Sequence, residues 1–183
     1  MKRAIMLCLL AAAACGDDAP AGPFAYHDPG PGKIRLLRSA ASTSDLLVLD
    51  LVAAAPLRGW AVGFDLPLDG DRVALDATPL VPGRALSAGT APAPRAAKAV
   101  IPSTGPLAGT LVAAQSATSG DDVALPAGTV LLSVRLLKRP GAPGGVVFDG
   151  AALDGRFRAG LLDKRGNVVV PASDFAMGKL TVR

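Results

Sequence analysis

The stretch that decides the fold is TVLLSVRLL, residues 129–137. Its alternate positions are apolar: Val130, Leu132, Val134 and Leu136. Ser133 and Arg135 stand between them. This period of two is typical of a β-strand that buries one face and turns the other to solvent. We expect a strand here, with its apolar positions directed into a core.

The same pattern recurs on both sides of this stretch. Residues 44–52 (SDLLVLDLV) are apolar on both faces, as in a fully buried strand, and residues 60–66 alternate from Trp60 to Leu66. An Asp69-Gly70 turn signal follows. Further short strands are predicted at residues 72–76, 97–101, 110–115, 146–148, 157–161, 168–170 and 180–182.

Helices are not expected in this chain. After Lys33, Gly or Pro interrupts nearly every window of a dozen residues, and glutamate, a good helix former, is absent. Many short strands separated by turns predict an all-β, antiparallel β-sandwich. The segment Pro79–Pro106 is poorly patterned, so we expect a surface excursion with one or two edge strands, because proline belongs on sheet edges.

The charge of the chain excludes one class of partner. The formal net charge is +4, but the Lys and Arg residues are scattered and carry no interleaved aromatic residues. A nucleic-acid-binding surface is therefore not expected. We expect a monomer without a cofactor.

The N-terminus carries targeting information. Lys2 and Arg3 precede an apolar run that ends at Ala14, and Cys15 follows directly. This run is shorter than the roughly 18 residues of a membrane span. The order of features resembles the signal peptide and lipobox of bacterial lipoproteins. The resemblance implies that residues 1–14 are removed and that Cys15 carries acyl chains, which would hold the protein on a membrane of the bacterial cell envelope, in the outer membrane or at a periplasmic or extracellular face.

Ordinary secretion is the alternative to lipidation. Ala12 and Ala14 also fit the small-residue rule of ordinary secretion, which would leave Cys15 as a free thiol. Residues 15–32 are rich in Pro, Gly, Ala and Asp, and we interpret them as a flexible tether. Residues 33–183 then form the folded domain.

Few residues in the chain suggest a catalytic or metal-binding site. His27 is the only histidine and falls in the predicted tether, and Cys8 leaves with the signal, so nucleophilic triads of the Ser-His and Cys-His kinds are not expected. Asp65, Asp69 and Asp71 could offer oxygen ligands to calcium, but aspartate is also common at turns. We assign no catalytic residue, no metal and no defined binding residue. Trp60, in phase with the apolar positions after it, is expected in the core.

Residues 33–183 also resemble a family, the cohesin-like domains of the carbohydrate-binding-module superfamily. The matching segments are Arg58–Leu66, Arg72–Leu75, Gly109–Ala113, Ser119–Asp122, Gly128–Arg135 and Asp163–Val168. The resemblance implies a jelly-roll sandwich of about nine strands. Characterised members of the family bind dockerin modules, but their partner-binding positions are not recognisable in this chain.

These observations predict a lipid-anchored envelope protein that is not an enzyme. Its domain would present an interaction surface to an envelope protein or a polysaccharide, at a sheet edge or at the Pro79–Pro106 excursion. A carbohydrate-binding module is the alternative, and a small envelope hydrolase is the less favoured one. With no glutamate and a single tryptophan, both sugar hydrolysis and sugar stacking have little support.

The lipid anchor leads to the first testable prediction. Cys15→Ser removes the thiol that accepts the acyl chains, so the protein should move from the membrane fraction to the soluble fraction. Metabolic labelling with a fatty-acid analogue should mark the wild-type protein and leave the variant unlabelled. Retention of Cys15→Ser on the membrane would contradict the prediction.

Overall fold

A computed structural model describes residues 22–87, 96–117 and 120–183 of the chain. The predicted signal peptide, Cys15, the first part of the predicted tether and residues 88–95 of the predicted excursion lie outside the described residues. Within these ranges the protein is all-β, and the predicted class is confirmed. Its helices are single 3-10 turns at Ala85–Ser87, Gly150–Ala152 and Ala172–Asp174. None of the helices within these ranges has the length and apolarity to cross a membrane.

The described residues form fifteen strand segments, rather than about nine. They are β1 Phe24–His27, β2 Ile34–Arg38, β3 Leu46–Ala53, β4 Leu57–Gly59, β5 Ala61–Pro67, β6 Val73–Pro82, β7 Ala96–Val100, β8 Thr110–Ser116, β9 Val123–Leu125, β10 Thr129–Lys138, β11 Gly145–Asp149, β12 Arg158–Leu162, β13 Val168–Pro171, β14 Phe175–Ala176 and β15 Lys179–Val182. The count is higher because several segments, such as β4, β9 and β14, pair over only two or three residues.

Two five-stranded sheets face each other. The first sheet has the order β14-β2-β3-β10-β6, and the second has the order β13-β12-β5-β8-β7. Neighbouring strands are antiparallel except β14 and β2, which pair in parallel. A three-stranded sheet, β1-β15-β11, and the ribbon β4-β9 complete the fold.

The core lies between the inner faces of these sheets, as the alternation predicts. On β3, Leu47, Leu49 and Leu51 are fully buried, and on β5, Val62, Phe64 and Leu66 are at most 3% exposed. All belong to one hydrophobic cluster. The sandwich is therefore held by apolar burial, which contributes about 25 cal/mol for each Å² removed from water.

One apolar residue of β10 points the other way from the prediction. The pairing of β10 with β3 shifts register between Val130 and Leu132, so Leu131 is an extra residue in a β-bulge. Leu131 and Leu132 are both fully buried, whereas Val130 is 37% exposed. The prediction that Val130 faces the core is wrong, because a bulge reverses the inside–outside phase of the residues before it.

The edge strands accommodate the prolines. β6 runs through Pro79 to Pro82 at the edge of the first sheet, and β7 lies at the edge of the second. The register of β6 against β10 shifts between Leu75 and Leu80, so Pro79 has no partner residue on β10. This suits proline, which has no backbone N–H to donate to the ladder. Edge strands in the Pro79–Pro106 segment are thus confirmed for its described residues.

A buried amide ties the two sheets together beside this edge. Gln115, on the inner face of β8, is 1% exposed. Its side-chain oxygen accepts from the Gly83 N–H at 2.9 Å, and its side-chain nitrogen donates to the Gly83 carbonyl at 2.9 Å. Gly83 follows β6 in the opposite sheet, and a Cβ at this position would clash with the Leu131 carbonyl. Gln115 therefore satisfies backbone groups that water cannot reach.

The predicted tether ends earlier than expected. Residues 24–27 form β1, which pairs with β15, so assigning all of residues 15–32 to a flexible tether is wrong for this part. Phe24 is buried, and the Tyr26 hydroxyl donates to the Leu36 carbonyl at 2.6 Å while it accepts from the Gly178 N–H at 3.2 Å. Apolar contacts of Phe24 and Tyr26 outweigh the loop-forming composition around them.

The strand directions give the sandwich two distinct ends. We call the end that holds residues 22–23 and the turns 39–45, 68–72, 101–109 and 139–144 the proximal end. Hydrogen bonds join its parts: the Arg183 N–H donates to the Pro23 carbonyl, the Asp69 N–H to Val147, and the Arg72 guanidinium to Gly144. The distal end holds residues 54–60, 120–128 and 163–167.

Removing the buried amide should destabilise the fold. Gln115→Ala removes two buried hydrogen bonds to Gly83, each of which contributes about 1 kcal/mol, so the free energy of unfolding should fall by about 2 kcal/mol or more. Urea denaturation measures this change. Ser116→Ala, on the half-buried outer face of the same strand, is the matched control and should change stability by less than about 0.5 kcal/mol. An unchanged Gln115→Ala midpoint would contradict the role of this amide.

Tyr26 offers a test of the corrected boundary, since it is the only tyrosine. Burial raises the pKa of its hydroxyl well above the ordinary value of about 10. The folded protein should thus form no tyrosinate near pH 10–11, whereas the urea-unfolded chain should titrate near pH 10 in ultraviolet absorbance. Because the folded pKa is raised, stability is fully present below about pH 10 and is lost above it, and Tyr26→Phe should abolish this loss. An ordinary titration in the folded protein would place Tyr26 outside the core.

Candidate functional site

The outer face of the second sheet forms an open trough of about 800 Å³. Cross-strand pairing builds its floor: Gly160 lies opposite Gly63, Gly63 opposite Ala114, and Ala61 opposite Leu162. We call this surface the trough and define it by the floor residues Ala61, Gly63, Ala114 and Gly160 and the flanking residues Asp65, Lys98, Val112, Arg158, Leu162 and Val168.

The trough is concave because its central positions are small. The outer positions of β5 alternate with the buried Val62, Phe64 and Leu66, so their side chains must leave the core. A Cβ on Gly63 would lie 3.0 Å from the Ala114 Cβ, which leaves little room for a larger residue. Glycine and alanine therefore lower the middle of the sheet surface relative to Leu162 and Val168 at its side.

The trough is apolar but has charges at its sides. Val168 is 60% exposed, the highest exposure among the large hydrophobic residues described. Lys98 and Arg158 are exposed on opposite sides of the floor. Arg158 donates to the carbonyl of Phe157 at 2.9 Å and to that of Gly155, so its guanidinium is held by its own loop. Asp65 lies opposite Arg158 in the strand register.

The outer face of the first sheet has a different character. Ser133 donates to Asp50 at 2.6 Å, and Arg135 forms an ion pair with Asp76 at 2.7 Å. These polar side chains satisfy one another on that surface. The protein therefore presents one outer sheet face with internally paired polar groups and one that is largely aliphatic. The aliphatic face is therefore the candidate interaction surface among the described residues.

The three aspartates considered as calcium ligands do not come together in one cluster. Asp69 pairs with Arg72 at 2.6 Å and accepts from the Asp71 N–H at 3.1 Å. Asp65 lies on the trough instead. Among residues 22–87, 96–117 and 120–183, no three His, Cys, Asp or Glu side chains meet in a set that could hold a metal ion. The Asp69 carboxylate therefore serves the turn, as its alternative interpretation held.

Several other aspartates are held in the ionised form. Hydrogen bonds from Lys164, Lys179, Arg156 and Asn167 lower the pKa of Asp121, Asp149, Asp154 and Asp163, respectively. A general acid in a hydrolase needs the opposite shift, a raised pKa. None of these four carboxyls thus has the property expected of a proton donor.

The remaining candidates from the sequence occupy other places. His27 is exposed at the end of β1, in an ordered strand rather than in a tether. Trp60 is only half-buried and does not belong to the core cluster, so its expected place in the core is wrong. The backbone N–H of Trp60 donates to the Leu162 carbonyl, and its backbone carbonyl accepts from the Ala117 N–H. Trp60 therefore lies just before β5, at the distal end.

The trough was not predicted from the sequence, which pointed to a sheet edge or the Pro79–Pro106 excursion as the contact region. The signal was present in residues 61–63, where small residues occupy the outward phase of a strand, but a single strand cannot reveal a concave face. Comparison of this chain with protein-family models, with curated proteins and with solved structures finds no match. The assignment of function therefore rests on this geometry.

Proposed function

We propose that this protein is a lipid-anchored, non-catalytic interaction module of the bacterial cell envelope, which binds a protein partner through the trough. The aliphatic, concave outer face of the second sheet is the observation that carries this proposal. The cohesin-like resemblance of residues 33–183 and its jelly-roll topology are part of the same proposal, and Cys15 would supply the anchor.

The dimensions of the trough suit a helix. Neighbouring strands lie about 4.8 Å apart, so a five-stranded sheet is about 19 Å wide. An α-helix with side chains is about 10 Å across, and small floor residues allow its backbone to approach closely. We propose that the partner inserts the apolar face of an amphipathic helix into the trough.

Charge supports the choice of partner further. Lys98 and Arg158 are exposed at opposite sides of the floor, and neither forms a side-chain ion pair with an acidic residue among the residues described. Acidic residues beside the apolar stripe of the helix would complement them and would set its orientation.

A glycan partner has less support from this surface. Sugar-binding faces present exposed aromatic rings on which sugar rings stack. Among the described residues that line the trough, Phe64 is the aromatic one, and it is 3% exposed with its side chain in the core. The aliphatic lining therefore favours a protein over a polysaccharide.

Photo-crosslinking in whole cells tests this function. A photoreactive residue at position 114 should give a protease-sensitive adduct, whereas the same residue at position 124 should give none. Ala124 is the matched control, since it is an exposed strand alanine on the β4-β9 ribbon. Ala114→Arg should weaken binding of the crosslinked partner about tenfold or more, because filling the centre of an interface costs over ~1.4 kcal/mol, and Ala124→Arg should not.

Two other results would overturn parts of the proposal. A protease-resistant adduct that a glycosidase removes would replace the protein partner with a glycan. Equal adducts at positions 114 and 124 would mean that the trough is not the binding surface.

Charge reversal tests the proposed acidic residues of the partner helix. Lys98→Glu and Arg158→Glu should weaken binding, and added salt should reduce the difference from the wild-type protein.

A further inference from the structure

The point at which the chain enters the sandwich restricts the orientation of an anchored protein relative to its membrane. Gly22 lies seven positions after Cys15, and seven extended residues span at most about 25 Å. Gly22 packs against the Ser44 carbonyl in the turn 39–45, and Pro23 is bonded to Arg183, so the described chain starts at the proximal end. β10 has ten residues and spans about 30 Å from the distal to the proximal end. This tether is too short for the distal end to rest on the membrane that holds Cys15.

Both ends of the sandwich expose apolar side chains, Val168 and Val169 at the distal end and Leu107 and Val146 at the proximal end, so the tether decides which of them can reach the membrane. Leu107, in the turn 101–109, is 40% exposed, and Val146, at the start of β11, is 46% exposed. The turn 68–72 connects these two places. The Leu68 N–H donates to the Gly109 carbonyl of the turn 101–109, and the Asp69 N–H donates to the Val147 carbonyl of β11. Pro140 and Pro143 are exposed in the adjacent turn 139–144.

The charges at this end are compatible with an anionic surface. Arg139 and Arg183 are exposed, and the Lys138 ammonium donates to the Arg183 carbonyl at 2.7 Å. Asp45 and Asp71 are the exposed acids there, while Asp69 is paired with Arg72. Basic side chains beside exposed apolar ones are typical of surfaces that rest on phospholipid headgroups.

We propose that the proximal end of the sandwich rests on the surface of the phospholipid bilayer that holds the Cys15 anchor. Leu107 and Val146 contact the headgroup region, and Arg139 and Arg183 lie among anionic headgroups. The distal end, with Trp60, then points away from the membrane, and the trough stands along the membrane normal, open to a partner from the side. This inference rests on the proposed lipid anchor.

Tryptophan fluorescence in brominated vesicles tests this orientation with the mature, acylated protein, residues 15–183. Trp60 is the only tryptophan, so Trp60→Phe gives a silent background. Val146→Trp and Val168→Trp in that background form a matched pair, because both are exposed strand valines, 46% and 60% exposed, at opposite ends. Vesicles of phosphatidylethanolamine and phosphatidylglycerol carry brominated phosphatidylcholine as the quencher.

We expect the Val146→Trp fluorescence to be quenched at least about threefold more strongly than that of Val168→Trp, because only the former lies at the headgroups. Trp60 in the wild-type chain should behave as Val168→Trp does. Circular dichroism confirms that the variants keep their strands. Equal quenching at both positions, or stronger quenching at Val168→Trp, overturns the orientation.

Two further outcomes separate this inference from the anchor on which it rests. If the protein floats with the vesicles but neither tryptophan is quenched, the anchor stands and the contact of the proximal end is wrong. If the protein does not float with the vesicles at all, the anchor itself is wrong, and the inference falls with it.

Discussion

The burial of two alternating apolar faces against each other is the constraint on which the rest of this structure depends. Leu47, Leu49 and Leu51 of one sheet and Val62, Phe64 and Leu66 of the other share one core. Each residue that faces inward fixes the phase of its neighbours, which must face outward. The exposed surface of the second sheet, including every residue of the trough floor, is therefore a consequence of how the core is filled.

Specific polar contacts then select one arrangement of these sheets. An apolar core alone allows one sheet to slide over the other, since apolar contacts have little directionality. The Gln115 amide, buried and bonded twice to Gly83, has a single geometry that satisfies both partners. The Tyr26 hydroxyl does the same for β1, which it joins to β2 through the Leu36 carbonyl. These groups hold the edges of the sandwich in register.

The trough, the proposed anchor and the proposed orientation of the domain are compatible with one another. The core sets which sheet face is aliphatic. With the proposed lipid anchor at Cys15, the proximal end would face the membrane, and the trough would be open to a partner from the side.

The sequence by itself determined most of the strands, although not β1, β2, β4, β9 or β14. The inside–outside alternation of residues such as 61–67 is a local property that needs no knowledge of the partner strand. It also predicted the edge position of the proline-rich segment. It could not predict the bulge that turns Val130 outward, the strand that removes Tyr26 from the tether, or the trough. Gly63, Ala114 and Gly160 are far apart along the chain and become neighbours only through long-range pairing. Tertiary structure alone decided that surface, since lateral register between strands depends on contacts that no single strand encodes.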